Sequence, residues 1–132
     1  PPPNLACRCF THSTETILWA KKNDKKSRHF FNYEKMKEEN GGKQMKDVWT
    51  GALTKPSEKT EGKHPTQKPE YLLERIVLAS TEEGQVIIDP FCGSGTTGVE
   101  AVRLGRKFIG IDVSEEYLQI SKRRLEKVAI VI

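Results

Sequence analysis

An α/β fold built on a parallel sheet with helices on both faces is predicted by three features of this 132-residue sequence. Two short β-prone runs, Val86-Ile87-Ile88 and Phe108-Ile109-Gly110-Ile111, are joined through a glycine turn at 93–98 and a helical stretch ending at Gly105. The first run is continuously apolar, as in a strand buried on both faces. A helical stretch also precedes the first run and another follows the second, and strand-helix alternation of this kind implies parallel strands with right-handed crossovers.

The elements follow in order. Thr16-Ile17-Leu18-Trp19-Ala20 reads as a strand ended by the charged cluster at 21–26, and Phe30-Phe31 reads as a short partner for it. Tyr33 to Glu39 favours a brief helix stopped by Asn40-Gly41-Gly42. Residues 41–68 lack periodicity, and a loop of that length is usually functional or disordered. Pro69 suits the first helical position, and Leu72, Leu73, Ile76, Val77 and Ser80 then recur at helical spacing until Gly84. Ser114 is placed to cap a last helix with Glu115 and Glu116 early and Lys122, Arg123, Arg124 and Lys127 late, matching the helix dipole. The tail from Val128 to Ile132 fits either a further strand or the frayed end of that helix.

Composition narrows the function classes. No apolar run approaches the roughly 20 residues needed to span a bilayer, so no membrane partner is expected. Three cysteines cannot close a disulfide framework, which points to a reducing, cytoplasmic compartment. The chain begins Pro1-Pro2-Pro3 without Met and reads as part of a longer protein. Net charge is +4, yet residues 1–68 carry 14 basic and 8 acidic side chains while 69–132 carry 8 and 10. The basic excess therefore lies in the first half, interleaved with Trp19, Phe30, Phe31, Tyr33 and Trp49, which suits phosphate contact with some stacking. A solvated lysine-rich surface is the plainer reading of the same composition.

Asp89-Pro90-Phe91-Cys92-Gly93-Ser94-Gly95-Thr96-Thr97-Gly98 lies between the first strand and a helix. Gly93, Gly95 and Gly98 satisfy G-x-G-x-x-G in the context that motif requires, and Asp112 closes the next strand, where a carboxylate can accept both ribose hydroxyls. In this pattern Gly93 turns the chain, Gly95 lets a ligand approach the backbone, and Gly98 allows close helix–strand packing. Asp89, directly before the turn, would repel a pyrophosphate and favour an ammonium or sulfonium group. S-adenosylmethionine carries both, with a ribose and no phosphate. A dehydrogenase is opposed by the same aspartate.

At these residues the sequence resembles the amino-directed DNA methyltransferases of bacterial restriction-modification systems. Residues 89–97 match their Asp-Pro-Phe-x-Gly-x-Gly-Thr-Thr cofactor motif, and His64-Pro65-Thr66-Gln67-Lys68-Pro69 matches a second motif just upstream. The order is that of the β group, and the likeness extends back through Gly42-Lys43-Gln44-Met45, Val48-Trp49 and Phe31-Asn32-Tyr33 to Thr11-His12-Ser13-Thr14-Glu15. The stretch 30–49 is most similar to adenine-N6 enzymes. The Asp/Asn/Ser-Pro-Pro-aromatic motif that receives the flipped base is not in this sequence, so the resemblance implies a C-terminal part with no catalytic residue of its own, inactive by itself.

The resemblance implies a division into 1–62, a catalytic-domain strand plus target-recognition segment, and 63–132, an S-adenosylmethionine-binding half of a Rossmann-like fold. Asp89 and Phe91 would meet the methionine end of the cofactor over Gly93 and Gly95. Asp112 would hold the ribose, and Thr66 and Lys68 the methionine carboxylate. Lys21, Lys22, Lys25, Lys26, Arg28, Lys43 and Lys46 are the candidates for DNA phosphate contact. Implied partners are DNA and the N-terminal half of the same enzyme, and a homodimer is compatible with the family. His64, followed by proline, is read as structural, Cys92 as packing, and Cys7-x-Cys9 with His12 as too few ligands for a closed zinc site. Two other readings stay open: a cytosine-N4 enzyme, and a DNA-binding remnant without activity.

Overall fold

The computed structural model describes residues 8–22 and 28–129. Cys7, Lys25, Lys26 and the end of the apolar tail lie outside them. Among the described residues the elements run α1 (Tyr33–Glu39), a single 3-10 turn (Pro56–Lys59), α2 (Glu70–Ser80), β1 (Val86–Asp89), α3 (Thr96–Arg103), β2 (Lys107–Gly110) and α4 (Glu115–Ala129). The two strands pair in parallel, with Val86 opposite Lys107 and Asp89 opposite Gly110.

Helix α3 is the centre of the packing: it lies against both strands, α2 and α4. Its approach to the sheet depends on Gly98, where a Cβ would stand 2.5 Å from the Phe108 ring. The core is small and includes Val77, Cys92, Val99, Ala101 and Ile120. Helix α2 cannot be capped by Pro69, so Glu58 reaches across to accept from the Glu70 amide at 2.9 Å. At its other end Arg106 donates to the carbonyl and hydroxyl of Thr81, at 2.7 and 3.1 Å. Helix α1 is capped by Asn32, whose own amide donates to the Ala79 carbonyl and ties α1 to the end of α2.

Two expectations are corrected. Residues 16–20 and Phe30-Phe31 are irregular rather than strands, with Leu18 90% exposed, because β propensity without a neighbouring strand provides no ladder of hydrogen bonds. The 86–88 run is not buried on both faces: Ile87 turns toward α3, while Val86 and Ile88 are more than half exposed. Helices accordingly cover one face of the sheet among the described residues. Of the two readings of the tail the helical one holds for its first two residues, since α4 continues through Val128 to Ala129.

Candidate functional site

The glycine loop is stitched to both strands by backbone and carboxylate. Ile111 N–H donates to the Asp89 carbonyl and Cys92 N–H to the Ile111 carbonyl, both at 2.9 Å. Asp89 spends its carboxylate on the turn itself, accepting from the Phe91 amide at 3.1 Å and the Thr97 hydroxyl at 2.6 Å. Asp112 bridges the loop to α4, accepting from Gly93 N–H at 2.8 Å and Ser114 N–H at 2.9 Å. These amides, Ser114 first, hold its carboxyl below the usual carboxylate range. Each of its oxygens keeps acceptor capacity for a further donor.

A cleft of about 190 Å³ opens above the loop, and its walls include Thr66, Lys68, Phe91, Gly93 and Thr97. The structure thus brings Thr66, Lys68, Phe91 and Gly93 together across 27 residues of sequence, with Phe91 87% exposed. Asp112 stands directly behind Gly93, and Asp89 lies under the turn rather than in the wall. Glycine at 95 also has a packing reason. Gly95 caps α3 at a left-handed φ of 76°, and a Cβ there would meet Ser121 of α4 2.1 Å away, so close helix packing excludes a side chain.

His64 lies between Gly93 and Tyr117, its ring 4.2 Å from the Tyr117 ring and its Nδ1 accepting from Thr66 N–H at 3.3 Å. That placement shapes the Thr66 turn and agrees with a structural role. Cys92 is buried, and burial with the Asp89 and Asp112 charges pushes its thiol up, away from nucleophilic use. Lys68 donates to Glu15 at 2.5 Å, which brings the 8–22 segment to the edge of the cleft. An ammonium has three donors, so Lys68 can hold Glu15 and a second carboxylate together.

Sequence reasoning missed the polar layer beneath the cleft. Gln67, Ser94, Thr96 and Arg124 are all buried. Arg124 Nη1 donates to the Ser94 carbonyl at 2.8 Å and the Thr96 hydroxyl at 3.0 Å, and Nη2 to Glu70 at 3.0 Å. Ser94 in turn donates to Gln67 Oε1 at 3.1 Å, and Gln67 Nε2 to the Glu58 carbonyl at 2.7 Å. By sequence Arg124 is one of the cations suited to the C-terminal end of a helix. The available signal was its phase, four residues after the buried Ile120 and so on the same face of α4.

Of the DNA candidates, Lys21, Lys22, Arg28, Lys43 and Lys46 are exposed, while Lys25 and Lys26 lie outside the described residues. Among the described residues no group of three or more His, Cys, Asp or Glu side chains is placed to hold a metal, and no helix is long and apolar enough to cross a membrane.

The DNA methylase family (N6_N4_Mtase) matches residues 1–123. The type II methyltransferase M2.LlaDCHI of Lactococcus lactis subsp. cremoris is 76% identical over 127 residues, covering 96% of this chain and 47% of that protein. M2.DpnII of Streptococcus pneumoniae is 75% identical over 126 residues, with the same coverage of each. The chain therefore spans about half the length of these relatives. Among solved structures, the M1.HpyAVI-SAM complex aligns with a TM-score of 0.58 at 33% identity, over 76% of this chain and 46% of that one. The cleft-forming motifs, the parallel strands and these relatives agree, and the chain belongs to the N6/N4 DNA methylase family.

Proposed function

We propose that this chain is the cofactor-binding part of an enzyme that transfers methyl from S-adenosylmethionine to adenine N6 in duplex DNA, working in the cytoplasm. The observation that carries the reading is the cleft over the glycine loop, which presents Lys68, Thr66 and Phe91 around Gly93 with the ionised Asp112 behind it. This donor set fits the cofactor. Lys68 and Thr66 suit a carboxylate, Phe91 offers an open aromatic face, and Asp112 retains acceptor sites for ribose hydroxyls. The cofactor supplies an electrophilic methyl group. The chain's own residues orient it, and the groups that receive the target base belong to the part of the relatives' length that this sequence does not span. Those relatives are named type II methyltransferases, which favours DNA as the substrate. The division into a 1–62 recognition segment and a 63–132 cofactor half is part of this reading.

Calorimetry on the full natural protein should detect S-adenosylmethionine and not NAD, and Asp112→Asn should weaken binding by on the order of tenfold, because an amide cannot accept at both oxygen positions. Nucleoside mass spectrometry of methylated DNA should show N6-methyladenine. N4-methylcytosine instead would move the protein to the cytosine branch, and preference for NAD would overturn the reading. DNA affinity should fall steeply with salt, and reversing Lys21, Lys22, Lys25 and Lys26 to Glu should flatten that slope by roughly one counterion per lost phosphate contact. An unchanged slope would mark these lysines as solvated surface.

A further inference from the structure

The layer under the cleft joins parts of the chain that neither sequence motif connects. Ser94 and Thr96 belong to the glycine loop, Gln67 to the 64–69 motif and Glu70 to the first turn of α2, and one guanidinium from α4 reaches three of these four side chains. We propose that Arg124 is a positioning residue for the cofactor: it sets the Ser94–Gly95 peptide and the Thr96 hydroxyl from below, so that the loop is formed before the cofactor arrives. The inference rests on the cofactor reading above.

The geometry leaves that peptide one orientation. Its carbonyl is held by Arg124 at 2.8 Å, and its N–H, carried by Gly95, donates to the Cys92 carbonyl at 2.8 Å. Both ends are occupied by buried partners. Rotation of the plane would break two hydrogen bonds made between buried residues. Gly95 needs this support because its left-handed conformation has no side chain to brace it.

Arginine is required for a geometric reason. Nη1 serves the loop while Nη2 serves Glu70 Oε1, so a rigid fork spans the loop and α2. Arg124 is only 6% exposed, and its charge is balanced by Glu70. A lysine keeps the charge but presents a single nitrogen, which cannot occupy both positions. The loop would then gain freedom that cofactor binding must remove, and the loss would appear in cofactor affinity before it appears in global stability.

The test uses the full natural protein and S-adenosylmethionine. Wild type is measured first, since a wild type that binds no cofactor defeats the cofactor reading and not this inference alone. With binding established, Arg124→Lys should raise the cofactor Kd and KM by about tenfold or more, with the KM for DNA changed by less than about twofold. Those values are taken well below the thermal midpoint of the variant. Glu70→Gln, which leaves the cleft wall intact and loosens one tine of the fork, should weaken cofactor binding by roughly threefold, and it decides the matter if the lysine variant does not fold. An unchanged cofactor Kd in the folded variants overturns the proposal. So does an equal loss for cofactor and DNA that tracks the thermal midpoint, because that pattern marks Arg124 as part of the general core.

Discussion

Glu100 shows how one buried residue can set the pH dependence of the whole chain. It sits on α3 with no exposed surface, and among the described residues its Oε2 finds no hydrogen-bond partner. Burial pushes its carboxyl up to about 7, the neighbouring Glu70 and Glu74 add to the rise, and Arg103, donating to Oε1 at 2.5 Å, opposes it. A carboxyl whose folded pKa lies above its ordinary value of 4.5 binds more protons in the folded state, so stability falls as pH rises from about 4.5 to about 7. The loss is on the order of 3 kcal/mol. Glu100→Gln should flatten this slope and raise the urea midpoint at pH 8, leaving the midpoint near pH 5 little changed. A wild-type midpoint that stays level from pH 5 to 8 would mean Glu100 is ionised throughout. The sequence places Glu100 inside the glycine-loop helix, but only packing against α2 removes its water.

At the scale of elements, the start of α3 is where local conformation and packing coincide. Gly95 and Gly41 both adopt left-handed φ, 76° and 65°, but a Cβ at Gly41 would meet nothing within 4 Å while one at Gly95 would strike Ser121 at its Oγ, Cβ and Cα. Gly41→Ala should therefore cost only the conformational strain, about 1–2 kcal/mol. Gly95→Ala adds displacement of α4 and should lower the thermal midpoint by well over the roughly 5 °C expected per kcal/mol of strain alone. Equal shifts in the two variants, measured by calorimetry, would show that α4 yields easily. The helices were the most legible elements: Tyr33–Glu39 forms within the expected bounds, and Ser114 caps α4 by accepting from the Tyr117 amide at 3.3 Å. Local signals sufficed because a helix satisfies its own backbone. The 16–20 run failed for the opposite reason, since a strand depends on a partner elsewhere.

For the whole molecule, the open face of the sheet is the dominant physical feature. Val86, Ile88, Ile109 and Ile111 are each half exposed or more, on the side away from α3. Contiguous exposed apolar surface of this kind favours association. The 132-residue chain produced by itself should self-associate, and Ile88→Lys with Ile109→Lys should shift it toward monomer in light scattering while preserving helical circular dichroism. Monomeric wild type at tens of micromolar would show that this face is tolerated by water.

By itself the sequence determined the strand-loop-helix-strand order, the parallel pairing, the family and the residues around the cleft. Glycine, capping and apolar patterns act over a few residues, and the two motifs constrain chemistry as well as shape. Tertiary structure alone decided that Asp89 supports the turn, that Gly95 yields space to α4, that Lys68 meets Glu15 across 53 residues, and that Arg124 lies beneath the loop. Each of these depends on which side chains are brought within about 3 Å by packing between distant segments, and a hydrogen bond's steep dependence on distance and angle leaves no trace in spacing along the chain.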